Sequence, residues 1–259
     1  MCRFAAYLGR PRPLSSLVYD PPHALEHQAY LPREQLSGHV NVDGTGVAWW
    51  PDGHEVPLRH ASELPPWSDE NLRELAPHLR ARAIVAAVRG TTPGMPAGRA
   101  AVAPFVTGGL AIAHNGWIGG FAGPTGAALL AALPPRWLTE LGVVTDSRVL
   151  ASHVAARVEA GASLTEAVRD TLAQVAAVCR DHHTIATLNL VVADGRRMVA
   201  ARAAVGTPAN SLYVHVDADG TVVASEPLDD GDWQPVADGH VVEVDAEGQR
   251  RLPLALARV

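Results

Sequence analysis

Cys2, directly after Met1, is the residue of this chain with the plainest chemical potential. A methionine followed by a small residue is normally trimmed, which would leave Cys2 as the mature N-terminus. One residue would then carry both a thiol and a free α-amino group. The α-amino pKa of about 7.7–8.0 lies close to the thiol pKa of about 8.5, so the amine can act as base at neutral pH. That is the logic of an N-terminal nucleophile, which attacks and moves the proton within one residue; a small second residue without a role is the alternative. An amide-cleaving thiol also needs donors for its oxyanion, each worth about 3–4 kcal/mol in a dry site. Asn115 and Gly116 offer a side-chain amide and an unobstructed backbone N–H, or form an ordinary Asn-Gly turn. Arg89 can grip a carboxylate with two parallel hydrogen bonds, or sit in a surface ion pair. Asp146, between Thr145 and Ser147, can hold an ammonium or cap a helix.

Such groups need rigid elements to aim them. Residues 2–8 are apolar and end at Gly9, Arg10 and Pro11, which predicts a buried first strand. Residues 47–50 and 56–58 flank Asp52-Gly53 and predict a hairpin with a two-residue turn. Residues 83–88 and 110–113 read as buried strands that run straight into 89–92 and 114–116, so polar groups end core strands. A helix is predicted over 147–160. A second opens on Ser163 and Glu166 at capping-box spacing and lines up Leu164, Val168, Leu172, Val175 and Cys179. Strands resume over 185–193 and 198–201. Residues 212–214 and 222–223 form a hairpin through Asp219-Gly220, and 240–244 read as the last strand. With no repeat and no linker-like shift in composition, one α+β domain over 1–259 is expected.

Composition narrows the partners. The 259 residues are 47% hydrophobic and 19% charged, which suits a packed core and not a disordered chain. A net charge of −6 argues against nucleic acid, whose phosphates demand clustered positive charge. All 21 basic residues are Arg, which reads as codon bias. Residues 100–135 carry no Asp, Glu, Lys or Arg, but Gly, Pro, His114 and Asn115 interrupt them. No apolar run reaches the ~20 residues of a membrane helix, so buried strands and tight loops are expected, with no membrane partner. Two cysteines cannot build a disulfide framework, which makes a reducing cytoplasm the expected location.

Together and in this order the residues resemble the class II glutamine amidotransferase family, whose members are N-terminal-cysteine (Ntn) hydrolases. The matching pieces are Met1-Cys2-Arg3, residues 41–49, Val88 to Thr92, Ala103-Pro104-Phe105, His114-Asn115-Gly116, Thr145-Asp146-Ser147, Leu188-Asn189-Leu190 and residues 224–228. They cover nearly the whole chain. The resemblance implies a four-layer αββα sandwich with Cys2 as nucleophile and Asn115 and Gly116 as oxyanion hole. It also implies that Arg89 and Asp146 hold the glutamyl α-carboxylate and α-amino groups, with Thr92 and His114 beside them and neither cofactor nor metal. Two positions depart from the pattern: Gly90 stands where many members have Trp, and Ala103 where many have His. A wider glutamyl pocket or local repacking would follow. Residues 21–25, Gln28, Pro32-Arg33, Gly94-Met95 and 225–230 are most similar to the free-standing, ergothioneine-pathway branch. That likeness implies a small-molecule substrate, the γ-glutamyl amide of a hercynylcysteine sulfoxide, hydrolysed to release glutamate without an obligate protein partner. His23, Gln28, Arg33, Trp49 and Trp50 are then candidates for the wall facing the product half. The alternatives are a glutaminase subunit delivering ammonia to a separate synthase, and a non-catalytic binding protein of this fold.

Two other patterns compete. His23, Glu26 and His27 have the H-x-x-E-H spacing of a zinc site, but Pro21, Pro22 and Pro32 leave room for only about two helical turns. Cys179 with His182 and His183 could form a cysteine–histidine pair, yet Cys179 continues an apolar helix face, which favours core packing.

Overall fold

The computed structural model describes residues 2–92 and 94–254. Among these the strands form two antiparallel, seven-stranded sheets. The first runs in the spatial order β12 (Trp233–Pro235), β10 (Tyr213–Val216), β11 (Gly220–Ala224), β1 (Arg3–Pro13), β4 (Arg80–Val88), β2 (Thr45–Trp49) and β3 (Leu58–Ser62). The second runs β14 (Gly248–Pro253), β13 (His240–Asp245), β8 (Met198–Arg202), β7 (Ala186–Ala193), β6 (Leu110–Ile118) and β5 (Phe105–Thr107). The short β9 (Ala204–Val205) also pairs with β7.

Alternation along β1 and β4 explains the layering. Phe4, Ala6, Ala83, Val85 and Ala87 join the core between the sheets. Ala5, Tyr7, Ile84, Ala86 and Val88 point the other way and pack under α1 (Ser15–Val18) and α2 (Leu25–Tyr30) through Leu17, Val18, Leu25 and Ala29. A strand buried on both faces reads as an unbroken apolar run, as 83–88 does. The outer face of the second sheet is covered by α6 (Asp146–Glu159) and α7 (Leu164–Asp181), which contact β6 and β7. The four layers are helix, sheet, sheet, helix, as the resemblance implied. Smaller helices α3 (Glu70–Leu75), α4 (Pro124–Ala131) and α5 (Pro135–Thr139) fill the connections. No helix among the described residues is long and apolar enough to cross a membrane.

Several expected boundaries move, each for a local reason. A register shift between Leu8 and Arg12 absorbs Gly9, Arg10 and Pro11, so β1 continues to Pro13. The hairpin of β2 and β3 exists, but Trp49 pairs with Leu58; Asp52-Gly53 lies inside a longer connection and is not a two-residue turn. β6 does not stop at Ala113: it runs through His114, Asn115 and Gly116, with Asn115 opposite Asn189 of β7. The uncharged stretch holds a helix, α4, which starts on Pro124 and continues through an Ala- and Leu-rich segment. Beyond 240–244 a further strand, β14, closes the second sheet. The capping box of α7 is as expected, with Glu166 accepting from the Ser163 backbone at 2.9 Å and Ser163 Oγ accepting from Glu166 at 3.3 Å.

Cys179 is fully buried on the inner face of α7, and burial pushes its thiol up from the ordinary range. Cys179→Ala should therefore cost about 1 kcal/mol in a denaturation experiment and leave kcat unchanged. An inactive variant with unchanged stability would exchange the roles of the two cysteines.

Candidate active site

One end of the sandwich gathers the chemistry. Cys2 precedes β1, and Arg3 at the start of that strand pairs with Val88, so Cys2 sits beside Arg89 at the end of β4. From the second sheet, β6 brings His114 and Gly116, while the start of α6 brings Thr145, Asp146 and Ser147. These residues, with Thr91, Thr92, Met95 and Phe105, line one cavity. The half-buried Cys2 thiol has the Gly90 carbonyl 4.0 Å away. Six of the residues expected at the glutamyl end, namely Cys2, Arg89, Thr92, His114, Gly116 and Asp146, thus share one wall-to-wall space.

Alternation on β6 divides its three polar-motif residues. His114 and Gly116 line the cavity, while Asn115, fully buried, faces the first sheet and lies against the backbone of Cys2. A Cβ on Gly116 would lie 1.9 Å from the Thr187 carbonyl oxygen and 2.5 Å from His114 Nε2, so only glycine fits there. His114 Nε2 donates to the Thr187 carbonyl at 3.0 Å, and its Nδ1 meets Ser147 Oγ at 2.9 Å, a hydroxyl that also donates to Asp146 Oδ1 at 3.2 Å. Burial lowers the His114 pKa, opposed by the nearby Asp146 carboxylate and the Thr187 bond.

Asp146 is not the helix cap. Thr145 holds that position, its Oγ1 accepting from Arg148 N at 3.1 Å, so Asp146 stands in the first turn. Its Oδ1 accepts from Ser147 N at 2.7 Å and its Oδ2 from Ile118 N at 3.0 Å, which ties α6 to β6. Arg89 is 7% exposed and donates to the Pro96 carbonyl at 2.6 Å. Neither Arg89 nor Asp146 forms an ion pair with a described residue. The cavity therefore contains a buried cation and a buried anion that do not neutralise each other.

Residues that sequence reasoning left without a role hold these parts in place. Arg59 on β3 donates to the Pro104 carbonyl at 2.7 Å and to the Val102 carbonyl, clamping the segment that supplies Ala101, Ala103 and Phe105. The segment presses so close to β2 that a Cβ on Gly46 would lie 2.2 Å from the Ala103 carbonyl oxygen. Behind Cys2, Arg3 and Glu226 are both wholly buried and joined at 2.8 Å. Assigned so that oxygen and nitrogen both find complementary partners, the Asn115 amide donates to the Cys2 carbonyl at 2.5 Å. Its oxygen then accepts from Ser225 Oγ and from Arg3, each at 3.2 Å. A charged arginine at position 3 of an apolar strand was the one available signal for this buried pair.

The expected product-side wall is not assembled at the cavity. None of His23, Gln28, Arg33, Trp49 and Trp50 lines it. His23 is buried with Nε2 on Glu226 at 2.8 Å and Nδ1 on His27 at 2.9 Å, and Gln28 donates to the His23 carbonyl at 2.9 Å. Arg33 has an exposed side chain, and its backbone N–H donates to Glu226 at 2.8 Å. Trp50 packs in the inter-sheet core over Gly195, and Trp49 packs against the outer core. Glu26 of the H-x-x-E-H pattern pairs with Arg73.

Burial raises the Glu226 pKa, but His23, Arg3 and the backbone N–H groups of Arg33 and Glu34 outweigh it and hold the carboxyl at about 2. Because that is below the unfolded value of about 4.3, the unfolded state binds more protons between them. Stability from this group is present above about pH 4.3 and lost as pH falls toward 2. The melting temperature of Glu226→Gln should thus fall less steeply than wild type over that range; parallel curves would remove the carboxylate from the acid limb.

Comparison with known proteins places these features in context. The chain is 38% identical over 249 residues to the gamma-glutamyl-hercynylcysteine sulfoxide hydrolase of Mycobacterium tuberculosis (strain ATCC 25618 / H37Rv), covering 96% of this chain and 94% of that one. It is 37% identical over 246 residues to the protein of the same name from Mycolicibacterium smegmatis, covering 94% and 96%. Among solved structures, a glutamine aminotransferase class-II domain protein from Silicibacter pomeroyi superposes with a TM-score of 0.73 at 26% identity, over 99% of this chain and all of that one. The glutamine phosphoribosylpyrophosphate amidotransferase of B. subtilis shares the fold, with a TM-score of 0.65 at 18% identity over 99% of this chain and half of its own. No family model matches the chain.

Proposed function

The chain belongs to the gamma-glutamyl-hercynylcysteine sulfoxide hydrolases, a branch of the class II glutamine amidotransferase family, and from that membership we infer that it hydrolyses the γ-glutamyl amide of such a substrate. The reaction releases glutamate and the amine-bearing sulfoxide. Cys2 attacks the γ-carbonyl carbon, with its own α-amine taking the thiol proton. The tetrahedral oxyanion is received by Gly116 N–H and the Asn115 amide. Collapse breaks the C–N bond as the amine returns the proton to the leaving nitrogen. Water, deprotonated by the same amine, then cleaves the thioester.

The observation that carries this reading is the pair of unneutralised charges beside the thiol. Arg89 and Asp146 line one cavity with Cys2, and neither has a counter-ion among the described residues. A buried charge left unpaired is costly. An α-amino acid head supplies both missing partners at once, its carboxylate to Arg89 and its ammonium to Asp146. Thr92 and His114 complete the walls of that head pocket. One domain, free in a reducing cytoplasm that keeps Cys2 a thiol, needs no second chain for this chemistry.

Substrate comparison tests it. The kcat/KM for a γ-glutamyl cysteine-sulfoxide conjugate carrying a betaine should exceed that for glutamine by on the order of 10²-fold or more, because a large leaving half adds binding energy to the transition state. Equal or better turnover of glutamine, rising further with an added synthase, would decide for an ammonia-delivering glutaminase.

A further inference from the structure

We propose that Glu226, directly after β11, is a positioning residue that acts through Arg3 to orient both the nucleophile and the oxyanion amide. The assignment rests on the reading of Cys2 and Asn115 given above. Arg3 Nε donates to Glu226 Oε1 at 2.8 Å. From the same guanidinium, Nη1 reaches the Cys2 carbonyl at 3.1 Å and the Asn115 amide oxygen at 3.2 Å. One planar group therefore touches the backbone of the residue that attacks and the side chain that receives the charge.

Only one nitrogen of that group, Nε, meets the carboxylate. Arg3 Nη2 is buried and has no hydrogen-bond partner among the described residues, so the pair is not a two-pronged clamp that would orient itself. Its direction depends on where Glu226 is fixed, and Glu226 is fixed by three further groups from two segments. His23 Nε2 meets Oε2 at 2.8 Å, Arg33 N donates to Oε2 at 2.8 Å, and Glu34 N donates to Oε1 at 3.1 Å. Neighbouring Ser225 completes the arrangement: its Oγ accepts from Phe4 N at 3.0 Å and donates to the Asn115 amide oxygen. Residues 225 and 226 thus set the amide and the guanidinium from one strand end.

A shift of about 1 Å in a reacting group can cost on the order of 10²-fold in rate. Arg89 and Asp146, which hold the glutamyl head in this reading, lie at the end of β4 and the start of α6 and make no contact with Glu226. Loss of the carboxylate should accordingly lower kcat and spare KM.

The test is steady-state kinetics with the γ-glutamyl sulfoxide conjugate on wild type, Glu226→Gln, Arg3→Lys and Cys2→Ala, each checked for folding by circular dichroism. Glu226→Gln should lose on the order of 10²-fold in kcat with KM changed by less than about threefold. Arg3→Lys keeps a charge opposite Glu226 but lacks the fork that spans both acceptors, and should lose at least about tenfold in kcat with the same split. A folded Glu226→Gln with wild-type kcat overturns the assignment. If that variant does not fold, wild-type kcat in Arg3→Lys overturns it instead. Turnover by Cys2→Ala would overturn the nucleophile reading and this assignment together, whereas inactive Cys2→Ala beside fully active Glu226→Gln would overturn the positioning role alone.

Discussion

Cys2→Ala should abolish turnover, lowering kcat by on the order of 10⁴-fold or more, because no other thiol among the described residues lines the cavity to form the acyl intermediate. The other cysteine is buried in α7 with a raised pKa and cannot substitute. Folding should survive the change. The thiol is half-buried, and its hydrogen-bond contact among the described residues is a long one to Gly90, so its removal leaves neither a core void nor an unpaired buried group there. The same mechanism requires a free amine on Cys2, which an attached methionine converts to an amide. Intact mass and activity measured on one preparation check both points. Full activity in a homogeneous sample that retains Met1, or in Cys2→Ala, would end the N-terminal-nucleophile mechanism.

Asn115→Ala should lower kcat by on the order of 10²–10³-fold, the loss expected when one oxyanion donor is removed. The amide carries two hydrogens; one is given to the Cys2 carbonyl, and the other is the donor this reading assigns to the oxyanion. Its deletion also frees the Cys2 carbonyl from one of two donors, the second being Arg3. Both effects act on the transition state more than on the bound ground state. Arg89→Ala offers the contrast, since it removes a grip already present in the bound substrate and should raise KM. Kinetic constants for the two variants on one substrate separate them, and a rise in KM alone for Asn115→Ala would contradict its role at the oxyanion.

How much of this was legible beforehand depended on the range of the interaction. The capping box at Ser163 and Glu166, the apolar face ending at Cys179 and the core strands 83–88 and 110–113 rest on contacts within a few residues, and they stand close to where periodicity places them. Boundaries slipped where a partner strand outweighed local punctuation. Polar residues at 114–116 looked like a strand end, but pairing with the wholly buried β7 carries β6 on to Ile118. Gly9 and Pro11 looked like a stop, but pairing of Arg12 and Pro13 with β4 extends β1 past them.

The sequence by itself determined the reactive inventory: a cysteine at position 2, an Asn-Gly pair just after a core apolar run, and an arginine and an aspartate each adjoining a regular element. Those are statements about residue type and near neighbours, which a linear string carries. Which polar side chains face the cavity and which are spent inside was decided only by the tertiary structure. His23 and Gln28 had the composition of a binding wall, yet a carboxylate about two hundred residues away claims His23 and, through Arg33 and Glu34, the loop after it. Burial favours polar atoms that find a partner, and the nearest partner in space has no fixed distance in sequence. The Arg3–Glu226 pair and the seating of Asn115 against the Cys2 backbone were settled when two sheets closed on each other and brought these groups within reach.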